Sequence, residues 1–272
     1  MNSSMPVSDT LSPWLLPAVS LWKREVVRFL RQRSRVIGAL GTPLVFWVLV
    51  GSGLRNSVRV PGLPGASGDS NYLQYAFPGT IAMIVLFTAI FSMISVIEDR
   101  REGFLQAVIA SPVRRSAVVF GKVLGSTTLA VGQSILFLLL APLVGVPLSV
   151  ASFVAVLGVL VVMSIGLSGL GLLIAWPMDS TQGFHAVMNL FLLPMWLLSG
   201  AFFPASGASR WVGWVMAANP LTYGVAALRH AMYAGIGADG SGLPSTSVSV
   251  GITILFAAAT LLIATYLVSG NK

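Results

Sequence analysis

Charged residues are scarce in this chain of 272 residues: only 9% are charged, whereas 56% are hydrophobic. A soluble domain usually has about 25% charged residues, so the composition excludes a soluble globular protein and predicts an integral membrane protein. Cysteine is absent, which excludes a disulfide framework and a thiolate metal site. A GxxxxGK(S/T) motif is also absent, so we expect no ATP bound through a P-loop, no cofactor held by this chain and no enzymatic activity.

Acidic residues are few, and the net charge is +8. A basic chain can bind nucleic acid, but here the Lys and Arg residues cluster beside apolar stretches. Such clusters set the orientation of membrane helices and contact anionic lipid headgroups. We therefore expect membrane lipid, and not nucleic acid, to contact this positive charge.

Six apolar runs are long enough to cross a bilayer, which needs about 20 residues. The predicted spans are residues 36–54, 75–97, 117–144, 151–176, 184–203 and 248–268. A further apolar segment, 204–235, is interrupted at Asn219-Pro220, and each half is too short to span. It is predicted to form two re-entrant or interfacial helices. The predicted fold class is therefore all-α, with a single membrane domain over residues 1–272.

Lysine and arginine counts predict the orientation of these spans. The segment before the first span has six, and residues 98–122 have five. The other side has four: Arg55, Arg59, Arg210 and Arg229. Because cytoplasmic loops carry the excess of Lys and Arg, both termini and the 98–115 loop are predicted to face the cytoplasm.

The stretch 18–35 is strongly basic but keeps an apolar face. Trp22, Val26, Phe29 and Leu30 recur with helical spacing, while Arg24 and other basic residues occupy the remaining positions. This pattern predicts a basic amphipathic helix on the inner membrane surface. A basic run that only sets topology has the same sequence, and the two interpretations are compatible.

The stretch from Glu98 to Arg115 is densely charged and lies between two predicted spans. Its five consecutive charged residues, 98–102, must lie in water or against protein, and Ser111-Pro112 is expected to end the helix that follows. Between these signals, one helical face carries four apolar side chains, Phe104, Leu105, Val108 and Ile109. An ordinary cytoplasmic loop and a docking helix for a soluble partner are both consistent with this pattern.

Two glycine motifs lie inside predicted spans. Gly121 and Gly125 form a GxxxG pair that allows close helix contact. The GLSG motif at Gly166–Gly169 resembles the nucleophile motif of rhomboid proteases, but a serine nucleophile needs a base within hydrogen-bond reach. The two histidines, His185 and His230, are predicted on opposite sides of the membrane and outside the last span, where the rhomboid histidine lies. We therefore expect the serine of this motif to serve helix packing.

The order of these segments, from the basic helix to the final span, resembles the permease subunit of type-2 ABC exporters. Three local matches support the resemblance: REGFLQAVIASPVRRSAVVFGKVL (101–124), LLSGAFFP (197–204) and NPLTYGVAALRH (219–230). The first is similar to the family's charged Glu-Gly start, Ser-Pro turn and Gly-Lys opening of the third span. The second is similar to the end of its fifth span, and the third to its external re-entrant segment. The resemblance covers nearly the whole chain.

The resemblance implies a half-transporter. Two copies of the chain would pair, and two ATP-binding subunits, which hold ATP and Mg²⁺, would dock below them. Residues 102–110 would form the coupling helix, beside a connecting helix at 18–35. The ATPase-coupling interface would comprise Glu98, Arg101, Glu102, Gly103, Phe104, Leu105, Val108 and Ile109. The connecting helix would contribute Trp22, Arg24, Val26 and Phe29.

The resemblance also implies a cargo cavity between the two copies, lined by the second and fifth spans. The candidate lining residues are Phe87, Phe91, Asn189, Met195 and Trp196. Aromatic and Met side chains offer an adaptable surface to apolar cargo. An apolar constriction at the external exit is predicted at Leu197, Leu198 and Phe202.

The cargo class stays open. The preferred interpretation is export of a drug-like molecule or lipid across a bacterial or archaeal inner membrane, and the alternative is export of a lipid-linked saccharide or polysaccharide. An ion-coupled secondary transporter would need ionisable residues at mid-membrane depth. The predicted span centres hold only neutral polar side chains, such as Thr88, Gln133 and Asn189.

Overall fold

The computed structural model describes residues 15–53, 72–111, 113–146, 148–202, 209–233 and 244–270, except for the side chains of residues 33–35 and 39. All regular elements in these ranges are helical. They are α1 Leu15–Arg31, α2 Arg33–Gly53, α3 Tyr72–Phe91, α4 Ile94–Arg101, α5 Phe104–Ala110, α6 Arg115–Leu138, a 3₁₀ turn Ala141–Val144, α7 Val150–Ala175, α8 Thr181–Trp196, a π turn Leu197–Ala201, α9 Arg210–Ala218, α10 Pro220–Tyr233 and α11 Thr246–Gly270. Most of the segment between the first two predicted spans, residues 55–74, lies outside the described residues, together with Arg55 and Arg59 of the charge count.

Six helical segments are long and apolar enough to cross a membrane, which confirms the predicted all-α, six-span fold. They are Val36–Gly53, Tyr72–Arg101, Arg115–Leu138, Val150–Ala175, Thr181–Ala201 and Thr246–Gly270. At a rise of about 1.5 Å per residue, α9 and α10 are too short to span, as predicted for the re-entrant segment. They are separated at Asn219, whose backbone is extended because a residue before proline avoids the helical region.

The second span is longer than predicted. The sequence predicts an end at residue 97, whereas the helix turns briefly at Ser92 and Met93 and continues as α4 to Arg101. Asp99 is fully buried within α4. Hydropathy assigns every charged residue to a loop, and that rule is wrong here because the Asp99 carboxylate is paired inside the protein.

The spans alternate in direction, so the bundle has two ends. One end carries α1, α4, α5 and the turn at 176–180, where Arg100 contacts Asp179 at 3.3 Å. We call it the charged end. The opposite end carries the 3₁₀ turn, the π turn and α9, and there Gln74 donates to the carbonyl of Val144 at 2.7 Å.

The N-terminal helix packs along one side against α6. α1 ends at Arg31, and α2 begins at Arg33, so the predicted single helix at 18–35 is divided. The buried residues of α1 are Ala18, Leu21, Glu25 and Phe29. In contrast, Leu30 of the predicted apolar face is 60% exposed.

The GxxxG pair of α6 explains this contact. A Cβ atom on Gly121 would lie 2.7 Å from the Cβ of Leu21, and one on Gly125 would lie 2.7 Å from the Cβ of Glu25. Both distances are shorter than real Cβ contacts, so only glycine lets α1 approach this closely. The predicted close helix contact is therefore confirmed, and its partner is α1.

The GLSG motif packs α7 against α11. A Cβ atom on Gly166 or Gly169 would lie 2.7 Å from side-chain atoms of α11. Ser168 is fully buried, and its hydroxyl donates to Ser126 of α6 at 2.9 Å. The two histidines contact a phenylalanine ring and a proline carbonyl on other elements. The motif thus serves helix packing, and the described residues form no serine–histidine pair.

Alanine at Gly125 is expected to weaken the contact between α1 and α6. Its Cβ would collide with Glu25, and overpacking of this kind costs about 1–3 kcal/mol of folding free energy. The matched control is Gly132→Ala on the same helix, where a new Cβ has nothing within 4 Å. This control should stabilise the protein by about 0.5–1 kcal/mol. Thermal unfolding of both variants in detergent measures the difference, and equal shifts in Tm would contradict this packing.

Candidate functional site

Gly103 turns the chain sharply between α4 and α5. Its φ of 78° lies in the left-handed region, which glycine adopts without steric cost. α5 then runs from Phe104 to Ala110, and Ser111 leaves the helix with an extended backbone, as expected for a residue before proline. The predicted short helix is therefore present, beginning two residues later than predicted.

The apolar face of α5 packs against the chain itself. Leu105 is only 3% exposed, and the ring of Phe104 lies 3.8 Å from the Arg24 guanidinium carbon. Val108 and Ile109 are half-buried against the hydrophobic core. Leu105 is therefore buried, and the other three side chains are partly buried, within the chain itself. They hold α5 on the bundle, because their apolar area is covered by neighbouring helices.

The outward surface of α5 and the preceding turn is polar or small. Glu98 points towards α1 instead and pairs with Arg28 at 2.9 Å. The remaining side of the segment is exposed, although Glu102 also lies 3.7 Å from the Arg28 guanidinium. Its exposed residues, which we call the docking face, are Arg101, Glu102, Gly103, Gln106, Ala107 and Ala110.

A buried lysine lies where α1, α4 and α6 meet. Lys122 of α6 is 1% exposed. Its ammonium group donates to Glu25 of α1 at 2.6 Å and to Ser95 of α4 at 3.0 Å. It also donates to the carboxylate of Asp99. One side chain thus joins three helices.

The carboxylate of Asp99 is the centre of this cluster. Besides Lys122, it accepts two hydrogen bonds from Arg24, at 2.6 and 2.8 Å, and one from Arg28 at 2.9 Å. The hydrogen bond to Asp99 raises the pKa of the Arg24 guanidinium above its ordinary value. We call Arg24, Glu25, Arg28, Asp99 and Lys122 the ion network.

The buried charges of the ion network compensate one another. Each buried charge loses several kcal/mol of hydration, and its partners must replace that hydration through short, well-directed contacts. Lys122 has two carboxylates, and Asp99 has three cationic groups, so neither charge is left unpaired. The network therefore fixes the relative positions of α1, α4 and α6.

Sequence reasoning assigned Arg24 and Asp99 correctly to charged segments but did not identify the network. Glu25 is not among the sequence-predicted site residues, and Lys122 enters only the charge count and the Gly-Lys part of the family resemblance. One signal was available. A lysine inside the predicted third span requires a counter-ion in a membrane protein, and Glu25 is an acidic residue in an otherwise basic helix.

An apolar cavity of about 670 Å³ opens between α1, α2, α3–α4 and α8. Three predicted cargo residues, Phe87, Phe91 and Asn189, belong to its lining. The described lining contains no Asp, Glu, Lys or Arg. Its residues are Phe29, Gly38, Thr42, Pro43, Met83, Phe87, Thr88, Phe91, Ser92, Ile94, His185, Asn189 and Leu193.

Two predicted cargo residues are not in that lining. Trp196 is 2% exposed, and its indole donates to the carbonyl of Gly79 at 2.8 Å. Met195 is half-buried on the same turn. Spacing along the fifth span could not show this, because it does not reveal that Trp196 packs against α3.

The residues of the predicted exit constriction lie together at the opposite end. Leu197, Leu198 and Phe202 are half-buried in and just after the π turn. The ring of Phe202 packs against that of Tyr72, with centroids 6.1 Å apart. The backbone leaves helical geometry at Leu198 and Gly200. Whether these side chains control an exit stays a prediction.

The family comparison covers both the ion network and the cavity. The family described as "ABC-2 type transporter" matches residues 18–233, from α1 to the end of α10. The chain belongs to the ABC-2 type transporter family. It is therefore a multi-pass membrane permease, the transmembrane component of a transporter.

Several relatives agree with this membership. The permease is similar to the transport permease ycf38 of Cyanophora paradoxa, with 24% identity over 212 residues, 77% of this chain and 71% of the relative. It is similar to ycf38 of Porphyra purpurea, with 22% identity over 214 residues, 78% of this chain and 72% of the relative. It also matches ABC transporter G family member 20 of Dictyostelium discoideum, with 27% identity over 173 residues, 62% of this chain but 23% of that longer protein.

Lys122→Met is expected to destabilise the permease by about 3–5 kcal/mol, because it leaves buried carboxylates without their cation. The double variant Lys122→Met/Glu25→Gln removes one charge of each sign and should recover part of the loss, since Asp99 keeps Arg24 and Arg28. Chemical unfolding of both single variants and the double variant gives the coupling energy. Strictly additive effects would show that the residues do not act as one network.

Proposed function

We propose that this ABC-2 permease is the membrane half of an ATP-driven exporter. Two copies of the chain pair, and two ATP-binding subunits dock on the charged end. The observation that carries the proposal is a continuous set of contacts from the docking face, through the ion network, to the wall of the cavity.

Two contacts and one continuous helical segment make up this set. α5 is held to α1 by the Phe104 ring against Arg24. Arg24 in turn is bound to Asp99 of α4. α4 continues into α3, which places Phe87 and Phe91 in the cavity wall. Because each contact is tight, a displacement of the docking face is transmitted to the wall, as expected of an element with two discrete positions.

Three features support the proposal of an ATP-binding partner: a missing motif, the name of one relative and the side chains of the docking face. Without a P-loop motif, the permease needs separate subunits to hold ATP and Mg²⁺. One relative bears the name of an ABC transporter, which supports ATP as the energy source. The polar and small side chains of the docking face suit contact with a soluble protein, since a large apolar surface there would be exposed whenever the partner is absent.

The charged end is proposed to face the cytoplasm, with both termini on that side of a cell inner membrane. The described basic residues Lys23, Arg24, Arg28, Arg31, Arg100, Arg101, Arg114, Arg115 and Lys122 all belong to segments at this end. The described part of the opposite end has only Arg210 and Arg229. An excess of Lys and Arg marks the cytoplasmic side.

The cavity supports a hydrophobic or amphipathic cargo, such as a drug-like molecule or a lipid. Its walls are aromatic and aliphatic, with a few neutral hydrogen-bonding groups, including Ser92, His185 and Asn189. Such a lining is typical of sites for apolar ligands. A lipid-linked saccharide or polysaccharide would favour many more hydrogen-bonding groups. The described walls of the cavity come from α1 to α4 and α8 of one chain, and we propose that a second copy of the chain covers its open side.

Ala107→Arg on the docking face is expected to abolish co-purification of the ATP-binding subunit, because a long cation would occupy the contact surface. Ala107 is exposed, so the folded permease should keep its stability. Ala217→Arg, at an exposed alanine of the opposite end, is the matched control and should leave co-purification unchanged. Retained binding in Ala107→Arg, or equal loss in both variants, would contradict docking at α5.

Asn189→Trp is expected to fill the cavity and to lower cargo-stimulated ATPase activity at least about tenfold, the effect of losing about 1.4 kcal/mol of cargo binding. Basal ATPase activity of the complex should persist, because the docking face is untouched. The neighbouring Leu190 is 70% exposed on the outside of α8, so Leu190→Trp should have little effect. Equal stimulation of ATPase activity by cargo in the two variants would show that the cargo does not bind in this cavity.

A further inference from the structure

The end of α8 is an irregular turn whose carbonyl groups need partners. After Trp196 the helix widens into the π turn, and Leu198 and Gly200 leave helical geometry, with a φ of 74° at Gly200. The last carbonyl groups of any helix lack intrahelical donors. Here they lie in a mostly buried setting, since Ser199, Gly200 and Ala201 are all buried. We call residues 195–202 the exit turn.

Side chains from two other elements donate to these carbonyl groups. From α9–α10, Asn219 donates to Met195 at 2.6 Å and to Leu198 at 3.2 Å. From α3, Tyr72 donates to Phe202 at 2.8 Å. The exit turn is thus held at several points along its backbone, on one side by α3 and on the other by the re-entrant helices.

The carbonyl of Gly200 is the point where both sides meet. Arg229 of α10 donates to it at 2.8 Å, and the hydroxyl of Tyr75 of α3 donates to it at 3.2 Å. The guanidinium of Arg229 also lies over the ring of Tyr75, 3.9 Å from its centroid. Three elements therefore meet at a single carbonyl oxygen.

Arg229 is an unusual residue for this role, because it is a buried cation without a described counter-ion. It is 8% exposed, and its Nε atom has no hydrogen-bond partner among the described residues. The described acidic residues are all at the charged end: Glu25, Glu98, Asp99, Glu102 and Asp179. The charge of Arg229 is instead met by the negative end of the α8 dipole and by the Tyr75 ring. A change in the shape of the exit turn would remove the hydrogen bond between Arg229 and the Gly200 carbonyl.

Tyr75 connects this contact to the ion network. α3 and α4 form one segment of 30 residues, and Asp99 follows Tyr75 by 24 residues, or about 36 Å of helix. We propose that Arg229 and Tyr75 form a latch on the Gly200 carbonyl that keeps the exit turn closed, and that movement of α3–α4 at the ion network releases the Tyr75 side of this latch. The proposal rests on the proposed function, because it assigns to the partner ATPase the movement that opens the exit.

The latch can be tested by chemical access to the exit turn. The chain has no cysteine, so a single Leu198→Cys substitution provides one reactive thiol. The complex with its ATP-binding subunits is placed in nanodiscs, and the rate of labelling by a hydrophilic thiol reagent is measured with and without ATP. Adding Arg229→Gln should raise the ATP-free rate about tenfold, because a hydrogen bond from a charged donor is lost. Tyr75→Phe, which keeps the ring, should give a smaller increase.

The matched control is Tyr233→Phe. The Tyr233 hydroxyl also joins α10 to α3, donating to the Gln74 carbonyl at 2.8 Å, but it does not contact the exit turn. Its loss should leave the ATP-free labelling rate unchanged, and Arg229→Lys should restore part of the closed state by keeping the charge. If Arg229→Gln only lowers Tm, with the labelling rate of the folded complex equal to that of the parent, the residue is a structural cap and the latch is overturned. Equal acceleration by Tyr233→Phe also overturns it.

The two proposals fail in different ways. The latch is tested by comparing the labelling rates of Arg229→Gln and Tyr233→Phe in the absence of ATP. The role of the ATPase is tested by the parent Leu198→Cys protein alone. If ATP leaves the parent's labelling rate unchanged while Arg229→Gln still accelerates it, the latch stands, and the coupling of the latch to an ATP-binding subunit is wrong.

Discussion

The pairing of Lys122 with Asp99 and Glu25 is the interaction on which the charged end depends. A lone ammonium group among apolar helices would be destabilising by several kcal/mol. Lys122 therefore requires the carboxylates of Asp99 and Glu25 close to it. That requirement places α1 against α6 and brings α4 alongside them. The same requirement explains why Asp99, which hydropathy assigns to a loop, is buried in a helix. That helix, α4, continues two residues beyond Asp99, to Arg101.

Glycine makes this pairing geometrically possible. The carboxylate of Glu25 lies 2.6 Å from the Lys122 ammonium group at the place where Gly121 and Gly125 let the α1 backbone approach α6 closely. The same approach positions Arg24 for its two contacts with Asp99 and over the ring of Phe104. Small residues and buried charges thus act together. The glycines set the distance between α1 and α6, and the ion pairs fix the register of one helix along the other.

The sequence predicts the fold well and the site only in part. Apolar runs of sufficient length give the six spans, and the residue before Pro220 divides the re-entrant segment, because both signals are local. The ion network is not local: Glu25 and Lys122 are 97 residues apart. No periodicity within one helix identifies such a partner. Likewise, Leu105 and Trp196 have apolar side chains of the kind that lines a docking surface or a cavity. Only their tertiary contacts show that they pack inside the chain.

The two ends of the bundle are held by interactions of different strength, and this difference has a mechanical consequence. At the charged end, breaking one buried ion pair costs about 3–5 kcal/mol. At the opposite end, the exit turn is held largely by hydrogen bonds from neutral Tyr and Asn side chains, each worth about 0.5–1.5 kcal/mol net. If α3–α4 moves as one body, the contacts of Tyr72 and Tyr75 will separate before those of Asp99. In the proposed mechanism, strong pairing at the charged end would transmit a displacement, and weaker pairing at the opposite end would allow a response to it.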